Sequence, residues 1–206
     1  MTRRVITEGT VREAARGGKA IPLGAGDVVT PSARDAAQTL GVALGPQAAA
    51  APAHASPAVV ALGSDHGGFK LKEALKAVIA ELTLGVTDVG CPSTDPVDYP
   101  VFAARVADLV ASGEARFGIM VDGAGIGSAM VANKIAGVRA ALCYDLTTAK
   151  NAREHNDANL LTLGGGLIGE RLAGEIVRVF LSTPFGGDRH ARRVAMINAL
   201  DKKRDR

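Results

Sequence analysis

The stretch Phe117-Gly118-Ile119-Met120-Val121-Asp122-Gly123-Ala124-Gly125-Ile126-Gly127-Ser128 decides how this chain is expected to fold. Its first five residues form a continuous apolar run typical of a buried strand, and the glycines after Asp122 predict a turn that opens a helix. Such a turn directs backbone N–H groups toward an anion. A carboxylate beside an oxyanion site is the pairing that proton abstraction next to a carbonyl requires. We therefore predict a strand–loop–helix unit with Asp122 at its mouth.

The same pattern recurs on both sides of this stretch. Apolar runs predict further strands over residues 59–63, 86–89, 138–143 and 160–163. Apolar residues at helical spacing predict helices over residues 71–82, 101–110, 147–154, 169–181 and 189–200. Continuous apolar strands that alternate with helices are typical of a parallel sheet covered on both faces. We expect an α/β fold that binds its ligand at the carboxyl ends of the strands.

Composition limits the classes of function. With 47% hydrophobic and 22% charged residues, the 206-residue chain can form one ordinary domain plus an appendage. Aromatic residues are only 3% and the net charge is only +3, so we expect no nucleic-acid partner. Apolar runs are too short for a membrane span, and the start lacks a secretory signal. The two cysteines lack metal or disulfide spacing, which predicts reduced thiols and a cytoplasmic protein.

An Ala- and Pro-rich stretch over residues 45–58 divides the chain. It has no amphipathic period, so we predict a semi-extended linker between a small module, residues 1–44, and a larger domain, residues 59–206. Within the module, Thr30 and Pro31 predict the start of a helix and Gly41 predicts its end.

Polar clusters follow predicted strands or precede predicted helices. They comprise Ser64-Asp65-His66-Gly67-Gly68-Phe69, Asp98-Tyr99-Pro100, the Asp122 turn, Glu154-His155-Asn156-Asp157-Ala158-Asn159 and Gly186-Gly187-Asp188-Arg189-His190-Ala191-Arg192-Arg193. Three of the four histidines lie in these clusters, which favours a shared site. Arg189 and Arg193 are four residues apart and share one helix face, where two guanidinium groups can clamp a phosphate.

Each cluster also has a purely structural interpretation. Asp65 could cap the following helix, and the arginines could form a solvated face. The glycine turn could belong to a dinucleotide-binding loop with Asp145 as its acidic partner, although the spacing is not G-x-G-x-x-G and the turn follows the third strand rather than the first.

Taken together and in this order, the motifs make residues 59–204 resemble the B-type ribose-5-phosphate isomerases and the related galactose-6-phosphate isomerase subunits. The glycine turn and the following Ala132-Asn133-Lys134 belong to the match. The resemblance implies a Rossmann-like three-layer α/β/α sandwich with a five-stranded parallel sheet. It also implies homodimers or dimers of dimers whose active sites combine two subunits, with no metal and no cofactor.

The resemblance implies a role for each site residue in an aldose–ketose isomerisation through a cis-enediolate. His155 would open the furanose ring, and Asp122 would move the proton between C1 and C2. Backbone amides of the turn, including Gly123, Gly125 and Gly127, would hold the enediolate oxygen. The substrate-binding residues would be Asp65, His66, Tyr99 and Asn156, with Arg189 and Arg193 as phosphate ligands.

The chain departs from this family's pattern at three positions. Asp122 stands where many relatives have the cysteine base, Ala124 where they often have Thr or Ser, and Gly166 where several have Arg. Ribose-5-phosphate is the expected substrate. The alternatives are a six-carbon phosphate, such as allose- or galactose-6-phosphate, and a non-catalytic partner subunit.

The N-terminal module has a resemblance of its own. Val5-Ile6-Thr7-Glu8 and Val28-Val29-Thr30-Pro31-Ser32-Ala33-Arg34-Asp35 are similar to the leaders of enzymes linked to bacterial microcompartments, such as ethanolamine-utilisation type cobalamin adenosyltransferases. This implies binding to a shell or cargo protein, inside a microcompartment. The alternative is an extension that stabilises a dimer.

Overall fold

The computed structural model describes residues 4–16, 20–24, 26–45 and 59–201. The chain divides into two compact units, residues 1–55 and residues 56–206. Apart from Gly45, the predicted linker lies outside the described residues, so the module boundaries stay predictions.

The described residues of the first unit form two short strands and two helices. They are β1 (Val5–Ile6), α1 (Glu8–Arg16), β2 (Val28–Val29) and α2 (Pro31–Leu40), with β1 and β2 parallel. The unit has its own small apolar core, which is formed by Ile6, Val11, Ile21, Ala33, Ala36 and Ala37.

The ends of α2 confirm the prediction made from three residues. The Thr30 hydroxyl accepts a hydrogen bond from the Ala33 N–H at 3.2 Å, and Pro31 takes the first helical position. Gly41 ends the helix with φ 65°, a left-handed conformation that glycine adopts without steric cost.

The second unit alternates strands and helices, as predicted. Its elements are β3 (Val59–Ser64), α3 (Phe69–Glu81), β4 (Gly85–Gly90), α4 (Tyr99–Ala111), β5 (Phe117–Asp122), α5 (Ile126–Ala132), β6 (Ala140–Leu142), α6 (Leu146–Asn156), β7 (Leu160–Gly164), α7 (Glu170–Ser182) and α8 (Asp188–Asn198). Within the described ranges, no helix is both long enough and apolar enough to cross a bilayer.

Strand β6 is shorter than the predicted strand over residues 138–143. The Val138 N–H donates to the Ile135 carbonyl, and the Arg139 N–H donates to the Asn159 side chain. These bonds hold residues 138 and 139 in the connection that precedes the strand, and regular pairing with β7 begins at Ala140.

The five strands β3 to β7 form one parallel sheet in the order β4-β3-β5-β7-β6, which confirms the predicted α/β fold. The chain first builds outward from β3 to β4 and then crosses back to place β5 on the other side of β3. The carboxyl ends of β3 and β5 therefore form a topological switch point, where sheets of this kind bind ligands.

Apolar side chains cover both faces of the sheet, giving the predicted three layers. Helices α3, α6 and α7 contribute to one core, with Leu75, Ile176 and Phe180 fully buried. Helices α4 and α5 contribute to the other core through residues such as Val106 and Ala132.

Candidate active site

The loops after β3 and β5 meet at the switch point. The Asp65 N–H donates to the Val121 carbonyl at 3.1 Å, and the Asp65 carboxylate accepts from the Gly68 N–H at 2.8 Å. A Cβ atom on Gly68 would lie 2.2 Å from the Val121 oxygen, so only glycine allows this approach. Asp65 is therefore not the N-cap of α3, which is Gly68 and has no side-chain cap, but it closes the turn before the helix and lies beside the Asp122 loop.

His66 is oriented by the loop that follows β4. Its Nδ1 accepts a hydrogen bond from the Val97 N–H at 3.2 Å, so the proton of the neutral ring is on Nε2. The ring is exposed, which leaves Nε2–H available to a ligand.

A buried lysine holds the start of that loop. Lys72 is only 1% exposed, and its ammonium donates to both carboxylate oxygens of Asp88 at 2.8 and 3.0 Å and to the Cys91 carbonyl at 3.0 Å. Burial acts to raise the pKa of Asp88, but hydrogen bonds from Lys72 and Lys76 outweigh it and lower this pKa. The carboxylate stays ionised, and α3 anchors the loop beside His66.

Tyr99, the first residue of α4, lies against the glycine turn. A Cβ atom on Gly127 would be 2.5 Å from the Tyr99 hydroxyl oxygen, so the phenol occupies the space that the glycine leaves open. Gly166 lies beside the same turn, since its N–H donates to the Gly123 carbonyl at 3.1 Å. These contacts bring Tyr99 and Asp65 to the Asp122 loop, and the sequence had predicted all three as site residues.

The Asp122 carboxylate is 4% exposed and accepts hydrogen bonds from its own loop. Oδ1 accepts from the Ala124 N–H at 2.8 Å and from the Gly125 N–H. Oδ2 accepts from the Ser128 N–H at 3.1 Å and from the Ser128 hydroxyl. A carboxylate offers about four acceptor positions, so these four bonds satisfy it in this conformation. Two amides of the predicted oxyanion loop are therefore already engaged.

His155 lies in a second cluster at the end of α6. Its Nδ1 is 2.8 Å from Nδ2 of Asn151, an amide nitrogen that can only donate, so the proton of the neutral ring is on Nε2. Asn156 extends this hydrogen-bond network, since its side-chain amide lies 3.5 Å from the Asn151 side-chain oxygen. The His190 ring stacks on the His155 ring, with ring centroids 4.2 Å apart and planes inclined by 6°.

The arginines predicted to bind phosphate belong to this second cluster. Arg189 and Arg193 lie exposed on α8, and the Gly186 N–H just before α8 donates to the Glu154 carbonyl at 2.8 Å. That bond joins the start of α8 to the end of α6. The structure thus brings together His155, Asn156 and the start of the arginine helix.

The two clusters lie at opposite edges of the sheet. Helix α6 returns from the carboxyl edge, so its end lies near the amino ends of the strands. There Arg139, just before β6, donates to the Asn156 carbonyl at 3.2 Å, and the Asn159 carbonyl accepts from Gly118 at the start of β5. At about 3.3 Å per residue, β5 alone separates the two edges by about 16 Å.

We name these clusters by position. The carboxyl-edge half-site consists of Asp65, His66, Tyr99 and the Asp122 loop, and the amino-edge half-site consists of Asn151, His155, Asn156, Arg189, His190 and Arg193. The expectation that the ligand lies at the carboxyl ends of the strands therefore describes only the first. The reason is topological, because a crossover helix carries its last residues back to the amino edge.

The other polar residues singled out in the sequence have structural partners. Asp145 caps the start of α6, since its side chain accepts from the Thr148 N–H at 2.8 Å. Burial raises the pKa of the Cys143 thiol to about 11. Both cysteines are free and buried. Among the described residues, no three His, Cys, Asp or Glu side chains are grouped to hold a metal ion.

Sequence reasoning missed three residues that shape the half-sites: Ser128, Asn151 and His190. Ser128 and His190 lie within quoted motifs but had no role assigned. Asn151 is four residues before His155 and so on the same helix face, a spacing that could have indicated their contact.

Comparison with known proteins covers the unit that contains both half-sites. Residues 60–197 match the Ribose/Galactose Isomerase family. The chain is 40% identical over 146 residues to ribose-5-phosphate isomerase B of Escherichia coli K12, covering 71% of this chain and 98% of that protein.

Solved structures agree. A ribose 5-phosphate isomerase from Thermotoga maritima matches with 46% identity and a TM-score of 0.67, over 69% of this chain and 98% of that one. The type B enzyme of Trypanosoma brucei matches with 44% identity and a TM-score of 0.69, over 70% and 99%. Since the family match extends across the whole sheet and both of its edges, this chain belongs to the Ribose/Galactose Isomerase family.

Proposed function

We propose that this chain interconverts ribose-5-phosphate and ribulose-5-phosphate through a cis-enediolate. The observation that carries the proposal is a pair of complementary half-sites, one with carboxylates and a glycine turn and the other with a histidine and two arginines. The named relatives from Escherichia coli and Thermotoga maritima are ribose-5-phosphate isomerases, which favours five-carbon over six-carbon substrates.

In this proposal the active site forms between two copies of the chain. The half-sites are at opposite edges of one sheet, so a single copy cannot present both to one small sugar phosphate. Apolar side chains left exposed on the same unit support a homodimer or a dimer of dimers. Met130 is 64% exposed on α5 and Met196 is 61% exposed on α8.

The amino-edge half-site would bind phosphate and open the ring. Arg189 and Arg193 supply guanidinium groups for the phosphate. His155 carries its proton on Nε2, where it can be given to the ring oxygen of the furanose, and Asn156 would contact the sugar beside it.

The carboxyl-edge half-site would move the proton between C1 and C2. Asp65, His66 and Tyr99 would contact the sugar hydroxyls. The amides of Gly123 and Gly127 would face the enediolate oxygen, joined by the Gly125 amide once it releases Oδ1 of Asp122. Asp122 would be the base. Because both of its oxygens accept bonds from the loop, one of them has to exchange a loop donor for the substrate before proton transfer.

The decisive test is a substrate panel with the purified full-length chain. We expect ketose formation from ribose-5-phosphate with kcat/KM of at least about 10⁴ M⁻¹s⁻¹. Unphosphorylated ribose is the control for the arginine clamp, and it should react far more slowly. Faster turnover of allose- or galactose-6-phosphate would move the assignment to six-carbon sugars. No ketose from any pentose or hexose phosphate would overturn the proposal and favour a non-catalytic partner subunit.

We further propose that residues 1–44 form a module that binds a microcompartment shell or cargo protein in the cytoplasm. Its separate apolar core and well-capped α2 support an independent binding element. Deleting residues 1–50 should abolish co-purification with co-expressed shell proteins and leave turnover unchanged. Unchanged co-purification would refute targeting, and a truncated chain that sediments as a monomer would favour the dimer-stabilising role.

A further inference from the structure

We propose that His190 is a positioning residue that couples phosphate binding by Arg189 to the ring-opening imidazole of His155. This inference rests on the proposed function for the role of His155. It gives a role to His190, which has none in the proposed isomerisation.

Contacts on both sides of His190 carry the proposal. Its ring lies flat against that of His155, with centroids 4.2 Å apart and planes inclined by only 6°. Its Nε2 is 3.3 Å from the Arg189 Nε, which can only donate. His190 is therefore the acceptor, and its own proton is on Nδ1. One imidazole thus contacts both the ring-opening group and a phosphate ligand.

The surroundings of His190 favour its neutral ring. Burial is the largest cause that lowers the pKa of His190. The neighbouring His155 and the guanidinium groups of Arg189 and Arg193 lower this pKa further, while Glu154 acts in the opposite sense. A neutral His190 can accept from Arg189, whereas a protonated one would repel it. Near neutral pH the bond to Arg189 is therefore preserved.

The His155 ring is therefore held by two neighbours, one at its edge and one at its face. Asn151 fixes its Nδ1 edge at 2.8 Å, and His190 fixes its face. The Nε2–H is then directed by its neighbours rather than by its own rotamer preference. Phosphate bound to Arg189 would shift His190, and through the stack it would shift His155.

Kinetics in the two directions separate positioning from a general structural role. Ribose-5-phosphate is cyclic and needs ring opening, whereas ribulose-5-phosphate stays open because its C5 oxygen is esterified. We expect His190→Ala to lower kcat by about tenfold or more with ribose-5-phosphate and to leave kcat with ribulose-5-phosphate within about twofold. His190→Phe keeps a flat ring without the acceptor, so it should restore kcat but raise KM severalfold. Equal losses in both directions, or no loss, would overturn the proposal.

A second measurement does not depend on turnover. In ¹⁵N-imidazole spectra of the whole protein, inorganic phosphate should shift the His155 resonances in the wild type. The shift should disappear in His190→Ala and Arg189→Ala but persist in Arg192→Ala, the matched control on the same helix. A His155 shift that survives His190→Ala would refute the coupling even if the protein were inactive. A failed substrate panel with the shift intact would refute the proposed function instead.

Discussion

Asp122→Asn should lower kcat for ribose-5-phosphate by between about 10² and 10⁴-fold, the usual contribution of a positioned base. The substitution keeps the size of the side chain but removes the charge and the lone pairs that take up the proton. Initial rates of ketose formation measure the loss. Exchange of the C2 hydrogen in ²H₂O, followed by NMR, should fall in parallel because it reports the same proton transfer.

A control has to distinguish loss of the catalytic base from loss of the bonds that hold the loop, because Asp122 has both roles in this proposal. In Asp122→Asn the amide NH₂ faces donors of the loop, so the free energy of unfolding should also fall by about 1–3 kcal/mol. Ser128→Ala removes a hydroxyl donor to Oδ2 but spares the carboxylate. It should destabilise the protein by a similar amount and change kcat by less than about tenfold. If Asp122→Asn behaves like Ser128→Ala, Asp122 anchors the loop and another group is the base.

Mixing two inactive variants should restore activity. Asp122→Asn damages the carboxyl-edge half-site and His155→Asn damages the amino-edge half-site. A heterodimer of the two has one site with both substitutions and one site with neither. After random exchange of subunits, half of the dimers are mixed, so about a quarter of wild-type activity is expected.

The matched control pairs two variants of the same half-site. In a mixture of Asp122→Asn with His66→Asn, every site keeps one damaged carboxyl-edge half-site, so no activity should return. Each mixture is dissociated in mild denaturant, refolded and assayed beside its unmixed components. If the first mixture also stays inactive while native mass spectrometry, with an affinity tag on one variant, shows mixed dimers, both residues act within one copy and the shared site is wrong.

Local sequence rules predicted the elements of this fold well. Thr30, Pro31 and Gly41 fix both ends of α2 through bonds to near neighbours, so no tertiary information was needed. The alternation of apolar strands and helices likewise predicted a parallel sheet covered by helices on both faces. Where a boundary was wrong, as at the start of β6, the contact is long-range, because the Arg139 N–H donates to the side chain of Asn159, 20 residues away, which short-range patterns do not specify.

Two features of the candidate site could not be read from short-range patterns. Lys72 is a charged residue in an amphipathic helix, where exposure is the ordinary expectation, yet Asp88 and Cys91 enclose its ammonium from another strand and loop. The bonds that saturate Asp122 depend on how tightly the glycine turn folds back, which residue types alone do not specify. The placement of His155 at the amino edge, by contrast, followed from the crossover topology and could have been inferred from it.

The distance between the half-sites along β5 has an evolutionary consequence. When each active site takes one edge from each of two copies, a gene duplicate can lose either edge and still be useful to a partner that keeps it. Two such duplicates, each defective where the other is intact, would form an obligate pair with one working site per dimer. In the proposed homodimer, sheet topology would thus offer a short route to an enzyme of two different subunits, and a position such as Asp122 is one where divergence of that kind would begin.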